Sequence, residues 1–244
     1  MKYYYDPKEL KNIIFSNNEI FNIPFSIESF FNKEKTKIFS KIYLNLLKLK
    51  IENELKFNND KKIWKSEFNL NKKKRIINYQ IEKNYFNFLI LDKIEQPSIT
   101  YNGNFNFKPF YASLVGNADE INLNYLFGSN AIIVQLLKTE IFNHKNIDFK
   151  LKINAENVYD NSNFKNIYIQ TKIQDGLIDT DKTKFEWRDF ASFELSESLI
   201  FVRNGELILD GKLNIYIKDY NEIYKFLLTP KNYRNKIKQI DFNF

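Results

Sequence analysis

Ile147-Asp148-Phe149-Lys150-Leu151-Lys152-Ile153-Asn154-Ala155-Glu156 alternates apolar and polar residues without a break. Side chains of a β-strand leave on opposite faces with a period of two, so this stretch makes one apolar face and one wet face. Two further stretches read the same way. Ile99, Tyr101, Gly103, Phe105 and Phe107 alternate with Thr100, Asn102, Asn104, Asn106 and Lys108, and Leu207, Leu209, Leu213, Ile215 and Ile217 keep one phase with Gly211 in register. One-sided alternation belongs to antiparallel sheets; strands of a parallel α/β protein read as continuous apolar runs between helices. The chain is therefore expected to be mainly β (α+β), a long antiparallel meander of eight or more strands.

Outward from these stretches, Trp64, Ser66, Phe68 and Leu70, then Ile77, Tyr79 and Ile81, predict strands on either side of a basic turn, Asn71 to Arg75. A further apolar stretch, Phe86 to Ile90, precedes Gln96-Pro97. Phe21, Ile23, Phe25 and Ile27 alternate around Pro24, which predicts an edge strand because proline cannot donate to a ladder. Between Lys33 and Phe57 the phase switches, from Ile42, Leu44 and Leu46 to Leu47, Leu49 and Ile51. A strand with a bulge near Leu46-Leu47 accounts for this, and Ile38, Ile42, Leu46 and Leu49 also fit helical spacing.

Short helices are expected in three places. Asp6-Pro7-Lys8-Glu9 has the residues of a helix start, followed by Leu10, Ile13 and Ile14. Ser129 to Glu140 offers Ser129 or Asn130 as a cap and Ile132, Ile133, Leu136 and Leu137 as a buried stripe. Asp219 can cap a helix carrying Tyr220, Ile223, Tyr224 and Leu227 that Pro230 breaks. A second C-terminal helix would carry Tyr233, Ile237 and Ile240. Residues 1–244 are expected to form a single β-rich domain with a helical segment at 219–240.

Composition narrows the chemistry. Hydrophobic residues make up 43% of the 244 residues and aromatics 17%, ample for a core. With no cysteine, disulfides, thiolate catalysis, Cys-based zinc sites and Cys-held iron–sulfur clusters are excluded. The net charge of +7 permits attraction to nucleic acid or an anionic membrane. Its lysines are dispersed, however, in a chain rich in the Lys, Asn, Ile, Phe and Tyr that A/T-rich codons supply. No apolar run of about 18 residues, the length of a membrane-spanning helix, occurs.

Candidate sites are few. His144, the one histidine, lies in the loop Asn143 to Asn146 with no Ser or carboxylate in an activating motif, and reads as a surface residue. Asp175-Gly176 and Asp179 to Asp181 form the densest acidic patch, without the spacing of a calcium loop. Glu186 and Asp189 flank Trp187 and Arg188; paired carboxylates can do sugar chemistry, but this pair reads as structural. Lys72, Lys73, Lys74 and Arg75 make the one basic run, and Lys231, Arg234, Lys236 and Lys238 surround the last predicted helix; both are candidate contacts to an anionic surface. No catalytic, cofactor-binding or metal motif is found, so no cofactor is expected.

The segment Asn204-Gly205-Glu206-Leu207-Ile208-Leu209-Asp210-Gly211-Lys212-Leu213-Asn214-Ile215 resembles the strand pairs of AsmA-related, β-rich envelope proteins of Gram-negative bacteria. Ile23-Pro24-Phe25-Ser26-Ile27 is similar to the start of a small alphaproteobacterial relative. The resemblance implies long antiparallel strands curving into a grooved sheet, a role in lipid transport or outer-membrane upkeep, and no catalytic residues. Such proteins carry an N-terminal anchor or export signal, which Met1 to Phe15 does not display. The chain is accordingly expected in the periplasm or envelope if a signal segment is missing from it, and in the cytoplasm otherwise. The expected function is non-enzymatic: an apolar sheet face that binds lipid, a membrane surface or a protein partner. The alternative is a basic module for RNA or another polyanion, less favoured because the aromatics share a face with Ile and Leu rather than with lysine.

Overall fold

The computed structural model describes residues 1–20, 23–32, 37–47, 49–56, 63–70, 73–82, 85–92, 99–107, 110–129 and 131–244. Side chains are described for all of these except 20, 32, 37, 47, 55–56, 63–65, 67–70, 73–76, 81–82, 85, 90–92, 99, 107, 125 and 132. The protein is mainly β with antiparallel pairing, as the alternating stretches require. Its internal contacts cluster into two compact units, one of Met1–Asp92 with Thr100–Ala112 and one of Lys93–Ile99 with Ser113–Phe244.

The first unit is a meander. Its strands are β1 (Lys2–Asp6), β2 (Lys11–Ile20), β3 (Ile23–Asn32), β4 (Lys37–Leu44), β5 (Leu49–Lys56), β6 (Ile63–Leu70), β7 (Lys73–Glu82), β8 (Tyr85–Asp92) and β9 (Ile99–Phe107). From β1 to β8 each strand pairs antiparallel with the next. The expected N-terminal helix is absent: Asp6 ends β1, and its Oδ1 accepts the amides of Lys8 (2.9 Å) and Glu9 (3.3 Å) across a turn. Aspartate caps a turn as well as a helix, and Leu10 at φ 50° sends the chain back as β2. The expected bulge at Leu46-Leu47 is instead a hairpin, with a 3-10 turn at Asn45–Leu47 between β4 and β5. Reversal of the chain accounts for the switch of phase. Nor is β3 an edge strand. It pairs on both sides, and Pro24 lies beyond the first residue paired with β4, Ser26, where no donor is required.

β10 (Phe110–Ile121) carries the boundary between the units. The second unit continues with α1 (Leu123–Phe127), α2 (Ile132–Lys138), β11 (Asp148–Val158), β12 (Asn161–Gln174), β13 (Leu177–Asp179), β14 (Lys184–Trp187), β15 (Ala191–Arg203), β16 (Glu206–Ile217), α3 (Tyr220–Phe226) and β17 (Gln239–Asn243). The stretch that opened the reading is β11. Pairing of Ile153 with Ile169 and Ala155 with Ile167 places its apolar face on the buried side. Those four residues and Ile121, which is fully buried, form a closed core with Leu151 and Phe185 against it. Burying each large side chain contributes about 1.5–3 kcal/mol.

Two-residue turns close two hairpins. Asp175-Gly176 joins β12 to β13, and Asn204-Gly205 joins β15 to β16, with positive φ at all four residues. Such turns match the twist of the flanking strands. The N-cap of α2 is Ala131, with no side-chain cap bond, rather than Ser129 or Asn130. Among its described side chains Val134 and Leu137 are buried, with Ala131 before them; Leu137 belongs to the expected stripe, Ile133 and Leu136 are half-buried, and the Ile132 side chain lies outside the described residues. α3 is capped by Asp219, whose Oδ1 accepts the Glu222 amide at 3.1 Å. The second C-terminal helix is absent. A 3-10 turn at Lys231–Tyr233 leads to β17, where Ile240 pairs with Ile215.

Candidate functional site

Strand register sorts the first unit into two unlike faces. On one, Ile27, Ile42 and Ile51 form a cross-strand row, and Phe31 and Ile38 belong to a second. All five are only half-buried. The same face continues through Ile77, Tyr79 and Phe88, and at its other side through Ile14, Tyr3 and Tyr5. Tyr79, Phe86, Phe88, Phe105 and Phe110 join in an aromatic cluster with centroids 4.8–6.4 Å apart. The opposite face carries Glu28, Lys41 and Glu52 in one row. It also holds a stacked Phe30–Phe39 pair (5.2 Å), with the Lys11 and Lys41 ammonium groups 5.1 and 5.6 Å from the Phe30 ring.

Between the two apolar rows runs a polar one: Ser29, Ser40, Asn53 and Ser66, each opposite the next. Asn53 is its hub. Its Nδ2 donates to Ser40 Oγ (3.2 Å), and its Oδ1 accepts from Ser66 Oγ and from the Tyr79 hydroxyl (3.4 Å). Ser66 is 4% exposed. Burial pushes the Tyr79 phenol up to about 12, favouring its neutral form. The Ser66 and Tyr79 hydroxyls thus both donate to Asn53, so hydrocarbon laid over them strands neither. Among the described residues the first unit holds no α-helix that could cover this face. Sequence reading found the apolar phase but missed the row, whose only trace is Ser or Asn in the apolar phase of successive strands.

In the second unit, Asp175, Asp179, Asp181 and Glu197 come together, with Lys172 and Ser198, around a depression of about 470 Å³. Asp181 has structural work there. Its Oδ1 accepts both the amide (2.7 Å) and hydroxyl (2.8 Å) of Ser198, and Ser198 Oγ accepts from Thr180 (2.9 Å). Ser198 lies in a bulge where Glu197 takes φ 52°, opposite Gly211. A Cβ on Gly211 would meet the Ser198 Cα and Cβ at 2.7 Å. The acidic patch therefore pins a bulge. Among the described residues no cluster of three or more His, Cys, Asp or Glu is placed to hold a metal.

Glu186 and Asp189 are ion-paired. The Lys218 ammonium, 2.7 Å from Glu186, and Asn166, at 3.0 Å, hold the Glu186 carboxyl below the usual carboxylate range. Lys165 does the same to Asp189 from 2.6 Å. Neither carboxyl is then poised as a protonated acid near neutral pH. His144 is exposed, and its Nδ1 accepts the Asn146 amide at 3.2 Å.

The basic candidates divide. Lys72 and the side chains of Lys73, Lys74 and Arg75 lie outside the described residues, although the last three belong to β7 and pair with Leu70, Asn69 and Phe68. Lys231, Lys236 and Lys238 are exposed, and Arg234 is half-buried with its Nε donating to the Thr229 carbonyl at 2.9 Å. They surround a turn and a strand, not an amphipathic helix. No described helix is long and apolar enough to cross a membrane. No protein-family model, curated protein or solved structure matches the chain.

Proposed function

We propose that the chain is a non-enzymatic β-sheet protein that binds lipid acyl chains on the apolar face of its first unit. The observation that carries this reading is the pair of half-buried Ile and Phe rows flanking a polar row whose Ser40 and Ser66 are bonded to Asn53. A face built to stay wet would keep polar groups that need water, and a finished core would be covered. An acyl chain that hides about eight methylenes there gains about 6 kcal/mol, a dissociation constant in the tens of micromolar. The envelope setting rests on the family resemblance of Asn204 to Ile215.

Native mass spectrometry of the gently purified protein tests the proposal. Retained lipid, or uptake of a long-chain fatty acid that Ile42→Lys abolishes, supports it. No uptake, by a protein that stays monodisperse and folded, refutes it. Salt-sensitive RNA binding in place of lipid would transfer the function to the polyanion reading.

A further inference from the structure

α3 ends in a conformation that its residues do not favour. The Thr229 amide donates to the Tyr224 carbonyl (2.8 Å) and the Leu228 amide to that of Lys225 (3.0 Å), a helix end that places Leu228 in the left-handed region at φ 54°. Glycine is the usual residue there because it has no Cβ. Leu228 is also 88% exposed, beside Leu227 at 60% and Phe226 at 47%. An exposed leucine in a strained conformation is unfavourable on both counts for an isolated chain, and such outliers gather at functional sites.

Cations flank this apolar tip. The Arg188 guanidinium stands 4.9 Å from the Phe226 ring centroid, and Arg234 is hydrogen-bonded to the Thr229 carbonyl. Lys225 and Lys231 are exposed at either end of the tip. Residues 218–238 contain six basic residues against two acidic ones; Lys218 pairs with Glu186 and Lys225 with Glu222, while Lys231, Arg234, Lys236 and Lys238 make no ion pair among the described residues. Phe226 packs edge-on against Trp187 at 5.1 Å, and the exposed Leu227 and Leu228 beyond it, flanked by cations, complement a bilayer with an anionic surface, where hydrocarbon lies beneath negative headgroups.

We infer that the Leu227–Leu228 tip inserts into the interface of an anionic lipid bilayer. This inference stands on the second unit alone and holds whether or not the first unit carries an acyl chain. Co-sedimentation of the full chain tests it, using vesicles of phosphatidylcholine alone or with about a quarter phosphatidylglycerol. The wild-type protein should sediment with the anionic vesicles and not the neutral ones. Leu228→Gly, which relieves the strained φ, should raise the thermal midpoint yet weaken vesicle binding; Leu227→Ser with Leu228→Ser should weaken it at least about tenfold. Lys225→Glu with Lys231→Glu should abolish it. Equal binding to neutral vesicles, no binding at all, or unchanged binding by the folded leucine variants would overturn the inference. So would tip-dependent self-association without vesicle binding.

Discussion

Replacing Asn53 by leucine tests whether the polar row is the bonded hub described above. Leucine keeps the approximate volume but removes the acceptor of Ser66 and the donor to Ser40. Ser66, 4% exposed, then keeps a hydroxyl without that acceptor, a desolvation cost of about 1–3 kcal/mol; the lost bonds to Ser40 and Tyr79 add about 1 kcal/mol. Asn53→Leu should therefore destabilise the first unit by about 2–4 kcal/mol. Ser66→Ala should cost less, about 1 kcal/mol, because the Asn53 carbonyl still accepts from Tyr79. Together they should cost less than the sum by about 1–2 kcal/mol, since the double variant has no Ser66 hydroxyl left to strand. The chain has two tryptophans, Trp64 in the first unit and Trp187 in the second, so urea unfolding in a Trp187→Phe background reports on the first unit through Trp64. Additive effects, or an unchanged midpoint for Asn53→Leu, would refute the hub.

The protonation and packing claims yield three further expectations. Stability should fall on the order of 2 kcal/mol between pH 10 and 12, because unfolded Tyr79 ionises near 10 while the folded phenol keeps its proton to about 12; Tyr79→Phe should remove that component from denaturant midpoints taken across the range. Gly211→Ala should destabilise the second unit by about 1–3 kcal/mol, read from thermal unfolding, since its Cβ would fall 2.7 Å from Ser198. The Glu186 carboxyl should titrate below the ordinary glutamate range by NMR and move back up in Lys218→Met, with its stabilising effect present above the ordinary carboxylate pKa and lost as pH falls through the lowered one.

Fold class was legible wherever a strand has unlike faces. β9, β11 and β16 carry that alternation in a few consecutive residues, and a period of two needs no distant partner to be read. The two false helices share one cause. Asp6 carries helix-start chemistry and the residues after Pro230 a helical spacing of Tyr233, Ile237 and Ile240, but Asp6 satisfies the amides of a single turn, and Ile240 finds its partner in Ile215, 25 positions earlier. The polar row was illegible for the same reason: Ser40, Asn53 and Ser66 lie 13 residues apart, and only strand register brings them together. Leu227 belonged to an apolar helical stripe in sequence, whereas in the fold it points to solvent beside Leu228. A helical stripe implies burial only when something packs against it.

The central claim, an acyl-binding face, is tested most directly by titrating a fluorescent long-chain fatty acid into the wild-type chain and two charge variants on adjacent residues of β4. Ile42 lies on the apolar face and Lys41 on the charged one. The account predicts saturable binding in the tens of micromolar, lost in Ile42→Lys and kept in Lys41→Glu. Binding lost equally in both variants, or unchanged in Ile42→Lys, would contradict it.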